Sequence, residues 1–295
     1  MEWWLLALIS ALFSAFAAIL EKKILFKEKV IEFTFVLAFF NAVISSLFLF
    51  FTDFTKITTI SLFILLVKSL FNAAAFIFVM YAIKDLELSS ALPLLVLTPG
   101  IVAIFAFLFL GEVISFLNIL GLIALTFGVY ILNIKDHQRI VDPFTVFFKS
   151  RGYRFVTGAL LLFTLTSLTD RFLLTKTTLP TQAMMAFQHL FFGVFFFVLL
   201  LLARPNFKEL KESLRKTLIC SGLLIFILSL FTILYRYTEI LSIKGTKSVA
   251  LSLILKRVSV FFAVIIGGTL FNESNLLRKS IATIILITGA VLVVI

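Results

Sequence analysis

Ten apolar runs, most of them about 18–24 residues long, follow one another along this chain with short polar links between them. Wound as a helix at about 1.5 Å per residue, such a run crosses the roughly 30 Å hydrocarbon core of a bilayer. The runs fall near residues 3–20, 33–51, 60–83, 89–110, 117–134, 155–174, 183–203, 217–240, 248–271 and 280–295. Backbone polar groups in hydrocarbon must be satisfied within the segment, which helices do. The expected fold class is therefore all-α: a polytopic membrane protein with ten transmembrane helices. Composition agrees, since 62% of the 295 residues are hydrophobic and only 14% are charged, too few to clothe a soluble domain.

The net charge of +11 sits in short links between the runs and forms no basic stripe with interleaved aromatics. It reads as the positive bias of cytoplasmic loops, with no nucleic-acid partner. The 38 phenylalanines are spread over nearly all runs, which suits lipid-facing surface and gives no cofactor signal. The single cysteine, Cys220, lies within a run and cannot form an intramolecular disulfide. Ala15-Phe16-Ala17 mimics a signal-peptidase site, but Met1-Glu2-Trp3-Trp4 lacks a basic n-region, so the first run is expected to be retained as a helix.

The ten runs divide into two sets of five. Glu112 and Glu273 stand 161 positions apart, as do Gly128 and Gly289, and Leu92 and Leu253. In the first two helices of each set the offset is 148 or 149: Glu21-Lys22 matches Asp170-Arg171, and Asn41 matches His189. An odd number of helices makes the second copy enter the membrane from the opposite side. The expected organisation is residues 1–134 as one five-helix repeat, 135–154 as a polar linker with Pro143, and 155–295 as an inverted second repeat. Secondary carriers are commonly built this way, with the substrate near the midplane between repeats.

The Ser-Ser-Ala-Leu-Pro entry at 89–93, Pro99 in mid-helix, the Gly111-Glu112 end and the Gly121/Gly128 spacing resemble the EamA-type fold of the drug/metabolite transporter superfamily. The resemblance covers nearly the whole chain and is strongest over 81–134. It implies a ten-helix inverted-repeat carrier of small metabolites in a cytoplasmic (inner) membrane, with metabolite export among the family's roles. The second half departs from the pattern: its ninth run has no proline, and Asn272-Glu273 stands where Gly-Glu would. Lys256-Arg257 also resembles the paired cations of triose-phosphate and some nucleotide-sugar translocators, which implies phosphate binding. Lysines and arginines crowd the links after odd-numbered runs (Lys22, Lys23, Lys27 and Lys29, for example), whereas the other side has mainly Lys56, Lys176, Lys244 and Lys247. The charge rule then places both termini outside, while the resemblance implies cytoplasmic ones.

Charged and polar residues inside the runs are the candidate site. Lys256 and Arg257 lie about eight positions into the ninth run, roughly 12 Å deep, the far limit for snorkelling. They are expected to meet a carboxylate or phosphate of the substrate, Arg through its planar fork and Lys as a point charge. Lys68 and Asn72, four apart on one face, form a second polar wall or an interhelical hydrogen bond. Tyr235 and Tyr237 bind substrate or belong to an interfacial belt; Arg236 and Glu239 read as an ion pair near the headgroups. His189, Asn41 and Gln188 form a possible proton relay or are satisfied by neighbouring helices. Glu21 and Asp170 are expected to salt-bridge Lys22 and Arg171.

Pro93, Pro99 and Gly100 loosen the fourth helix, as a hinge or a static kink. Glu112 and Glu273 are expected to stabilise the start of the helix that follows each. Gly121 and Gly128 allow close packing, within the chain or against a second protomer of a homodimer.

The function expected from these features is secondary-active transport of a small polar, possibly anionic, metabolite by alternating access, without cofactor or metal. An intramembrane enzyme is the alternative, but Ser69 beside Lys68 and Ser259 near Arg257 make poor dyads, because adjacent helical positions point apart. A non-transporting scaffold is the other; a channel would call for a charged ring or filter loop, and neither is visible.

Overall fold

The computed structural model describes residues 2–98, 100, 101, 104, 115–133, 150–204, 206–245 and 249–294. Among them the chain is helical, with no strand. Helix α1 spans Trp3–Leu25, α2 Val30–Ser46 with a 3₁₀ extension Leu47–Phe51, and α3 Thr59–Asp85. Next come α4 (Leu88–Leu94, followed by a 3₁₀ turn Leu95–Leu97) and α5 (Phe116–Asn133). The second half has α6 (Arg151–Lys176), α7 (Thr181–Ala203), α8 (Phe207–Gly245), α9 (Val249–Phe262) and α10 (Leu276–Val294). Among the described residues, seven helices are long and apolar enough to cross a membrane: α1, α2 with its extension, α3, α5, α7, α8 and α10. The protein is an all-α polytopic membrane protein.

Local chemistry sets several helix starts and breaks. Thr58 and Ser61 cap α3 reciprocally: the Ser61 amide donates to Thr58 Oγ1 (3.2 Å) and the Thr58 amide to Ser61 Oγ (3.3 Å). Pro93 removes one backbone donor, and the chain tightens into the 3₁₀ turn immediately after it. Helix α9 has no proline, yet it loosens too, through a π-turn over Ala263–Gly267 before the short helix Gly268–Leu270. Helix α4 packs on this π-turn. A Cβ on Gly267 would come within 2.6 Å of Leu88 Cδ2, so glycine is what lets the α4 start approach the π-turn.

Several boundaries differ from the sequence expectation, those of α8 and α6 among them. Helix α8 begins ten residues earlier, at Phe207, because its polar first turns stand clear of the apolar run and are started by the Asn206 side chain, which accepts from the Lys208 amide at 3.0 Å. It also ends later, at Gly245. Helix α6 begins at Arg151, inside the expected linker, and residues 134–149 lie outside the described residues.

The main packing pairs are α1 on α8, α3 on α6, α2 on α7, α5 on α10 and α1 on α9. Exchanging the halves turns α1–α8 into α6–α3 and leaves α2–α7 and α5–α10 unchanged. Gly121 and Gly128 make their close contact within the chain. A Cβ at Gly121 would meet Val293 N at 2.6 Å and Gly289 O at 2.8 Å, and one at Gly128 would meet Leu286 Cγ at 2.7 Å. These glycines are thus spent on α5–α10 contact, not on a partner protomer.

Candidate functional site

The charges of α8 and α9 meet inside the bundle. Glu239 is buried, and its two oxygens hold two cations: Oε1 lies 2.6 Å from Lys256 Nζ, and Oε2 accepts from Arg236 Nη1 at 3.1 Å. Arg236 and Glu239 are three apart on one helix face, so α8 presents the pair together. The Lys256 ammonium also lies over the Tyr235 ring, 5.1 Å from its centroid. The Tyr235 carbonyl accepts from Ser10 of α1 at 2.8 Å. The Arg236–Glu239 ion pair expected from the sequence forms, and helix α8 continues beyond it to Gly245. Tyr237 goes elsewhere: its ring packs on Phe48 of α2 (4.9 Å) among Met185, Ile233 and Ile240. Arg257 has no carboxylate within ion-pair distance among the described residues, although it lies in the field of Glu239.

A second cluster joins α3, α6 and α7. Lys68, 1% exposed, places Nζ 2.6 Å from Asp170 Oδ1 and donates to Gln188 Oε1 at 2.7 Å. Asn72 is buried one turn away on the same helix. Asp170 therefore pairs with a lysine 102 positions distant, because α3 packs directly on α6, while the side chain of Arg171, its expected partner, lies outside the described residues. Lys22 is a parallel correction. Its ammonium donates to the carbonyls of Ile83 and Leu86 at the end of α3, leaving Glu21 buried without an ion pair among the described residues. Terminal carbonyls of a helix attract a cation.

The two clusters are electrostatically continuous. Arg236 bears on Lys68, and both bear on His189 of α7. His189 is 3% exposed, and neither ring nitrogen has a hydrogen-bond partner; Asn41 Oδ1 of α2 is also buried and unpartnered. Helices α2 and α7 pack antiparallel, Ala42 against Gly193 and the 44–48 stretch against Met185. Asn41 therefore lies within about a turn of His189 in height.

Polar groups also gather at the two ends of the bundle. Near Gly245, a cleft of about 350 Å³ is lined by Asp53, Lys56, Thr178, Gln182 and Lys244. Gln182 is six residues, roughly 9 Å, from Gln188 along α7. At the opposite end, carboxylates of the first half clamp the second. Glu28 accepts from Thr217 (2.9 Å) and Ser221 (2.6 Å) of α8, and Glu32 accepts from Ser213 (2.9 Å) and pairs with Arg204 (3.0 Å).

Glu273 is a further correction. Instead of serving the helix that follows it, its carboxylate accepts from the Leu88 and Ser89 amides (2.6 and 2.8 Å) and caps α4 of the other half. Beside it Glu87 accepts from Lys279 and from Ser274. Burial pushes the Glu87 carboxyl up, but the Lys279 ammonium and the Ser274 donors outweigh that and hold it below its ordinary value. Glu112 and Pro99 lie outside the described residues. Gly100 is helical and tight against α5, where a Cβ would come within 2.5 Å of Leu125 Cδ1.

Of the expected site residues, Lys256, Lys68, Gln188 and Tyr235 are brought into one connected polar region, with His189 beside it. Sequence reading gave Glu239, Arg236 and Asp170 to ordinary ion pairs. The signal that could have found them was their position inside apolar runs, where a charge needs a partner on another run. Among the described residues no group of acidic, histidine and cysteine side chains could hold a metal.

Comparison with known proteins bears on the class. No curated protein matches the chain. A solved structure described only as "Crystal structure of protein" is 15% identical over 96% of each chain, with a TM-score of 0.60, which establishes likeness of fold. The family model described as "EamA-like transporter family" matches residues 1–134, the first five runs. Over those residues the chain is similar to the EamA-like transporter family.

Proposed function

We propose that this protein is a secondary-active carrier of a small organic anion, working by alternating access between two inverted five-helix halves, 1–134 and 155–295. The observation that carries the anionic reading is a charge surplus. Among the described residues, Lys68, Arg236 and Lys256 pair with Asp170 and Glu239, Glu21 bears on the same region through Tyr235, and Arg257 is left without a carboxylate at ion-pair distance. Four cations against three carboxylates, in a low-dielectric interior, call for a bound anion. Arg257, with no carboxylate at ion-pair distance, is the primary anchor, its fork suited to carboxylate or phosphate. Lys256, Lys68 and Asn72 line the same region, and Tyr235 positions Lys256.

Alternating access is supported by the asymmetry of the two ends, one with a cleft and one clamped by Glu28 and Glu32. The charge rule puts the clamped end in the cytoplasm and the cleft outside. The loosened segments after Pro93 and at the π-turn lie where the halves touch and serve as flexing points. Because α2–α7 is a contact between the halves, His189, Asn41 and Gln188 sit at their seam, and a role in proton coupling belongs to this same reading.

Proteoliposome uptake tests the proposal with a panel of dicarboxylates, organic phosphates, neutral sugars and amino acids. Concentrative or exchange uptake of an anion, lost in Arg257→Gln, is expected. Uptake confined to neutral or cationic solutes would sink the anionic reading and leave the transporter class intact.

A further inference from the structure

The α2–α7 seam holds unpartnered polar atoms that the carrier reading alone does not use. Asn41 Oδ1 and both ring nitrogens of His189 are buried with no hydrogen bond among the described residues. Each such atom costs free energy unless something fills it. Three polar atoms on two helices that pack against each other leave hydrogen-bonding capacity unmet at this seam. Whatever fills it must offer a donor to the amide oxygen and pair with a neutral imidazole, which gives one donor and one acceptor. A hydroxyl meets that demand, being donor and acceptor at once.

The charge around the site decides what it refuses. His189 lies in the field of Lys68 and Arg236, with no carboxylate among the groups that bear on it. An ammonium could donate to Asn41, but it would enter the field of the Lys68 and Arg236 cations. It would also offer the imidazole no acceptor.

We infer that His189 and Asn41 form a specificity subsite for a neutral hydroxyl-type group on an organic anion, and that the site excludes substrates carrying an ammonium in that place. This rests on the anionic reading above. It narrows the substrate class to hydroxylated anions and separates this protein from carriers of amino acids.

Two matched sets of probes test it by binding to purified protein in nanodiscs. One is malate, succinate and aspartate, which differ in a single substituent: hydroxyl, hydrogen or ammonium. The other is glycerol 3-phosphate, propyl phosphate and 3-aminopropyl phosphate. In the set that binds, the hydroxylated member should be tighter than the plain one by about tenfold or more, since the plain analogue leaves buried groups unpaired. The ammonium member should be weakest. His189→Leu and Asn41→Leu should each bring the hydroxyl-to-plain ratio towards one, with His189→Gln retaining part of it. Arg257→Gln should weaken both members of a pair alike. Equal binding of plain and hydroxylated probes in the unmodified protein, or an ammonium probe as tight as the hydroxylated one, overturns the subsite and leaves the anionic reading standing. If neither set binds, the anionic reading itself has failed and the subsite falls with it.

Discussion

At the scale of single residues, the interior holds ion pairs whose worth is decided by what remains when one partner is removed. Lys68 is enclosed and answers Asp170 at 2.6 Å. Lys68→Met should destabilise the protein by about 3 kcal/mol or more, because a carboxylate is left with no cation beside it. Adding Asp170→Leu should recover much of that loss, since a well-packed apolar pair can replace a buried ion pair. Uptake should stay lost in the double variant. Thermal unfolding and transport on the same preparations separate the two effects, and restored uptake in the double variant would remove Lys68 from the substrate site. Glu87 gives a pH dependence with a definite sign. Its carboxyl is held below the ordinary 4.5 in the folded state, so the folded protein binds that proton less readily than the unfolded chain. The associated stability is fully present above the ordinary value and is lost as pH falls through the lower folded value. Glu87→Gln should therefore lower the unfolding midpoint at neutral pH and flatten its decline on acidification; an unchanged acid slope would exclude the pair as its source.

At the scale of helices, small residues and caps set how closely the elements approach. Gly121 faces backbone atoms of α10, which cannot turn aside as a side chain can. Gly121→Ala should push α5 off α10 and lower the thermal midpoint clearly. Gly222→Ala is the contrast: its Cβ would meet only Leu218, at 3.9 Å, so the better helix propensity should leave stability unchanged or raise it by up to about 1 kcal/mol. Equal damage from both would mean that α5 and α10 are not in contact as described. The Glu273 cap reaches between halves, and Glu273→Ala should cost about 1 kcal/mol. Faster hydrogen exchange at the Leu88 and Ser89 amides is the specific readout, because loss of a cap on the following helix would show at Leu276 onward.

At the scale of the whole molecule, orientation is the open choice between the charge rule and the family resemblance, and labelling decides it. In a Cys220→Ser background, a membrane-impermeant maleimide should reach Lys56→Cys in intact cells and Lys27→Cys only after permeabilisation. The reverse pattern would place the termini in the cytoplasm and make the clamped end the outer one. The apolar run lengths alone determined that this chain is a membrane helix bundle, because bilayer thickness and backbone hydrogen bonding leave no other fold for them. They also marked Lys68, Lys256 and Arg257 as functional candidates, since a cation in hydrocarbon needs a reason. Partnership was decided only by the tertiary structure. Glu239 took Lys256, Asp170 took Lys68, Glu273 capped a helix in the other half, and Gly121 met Gly289 rather than a second protomer. Each of these joins residues from different helices, and which faces meet depends on how the helices pack, a long-range outcome that no local spacing encodes.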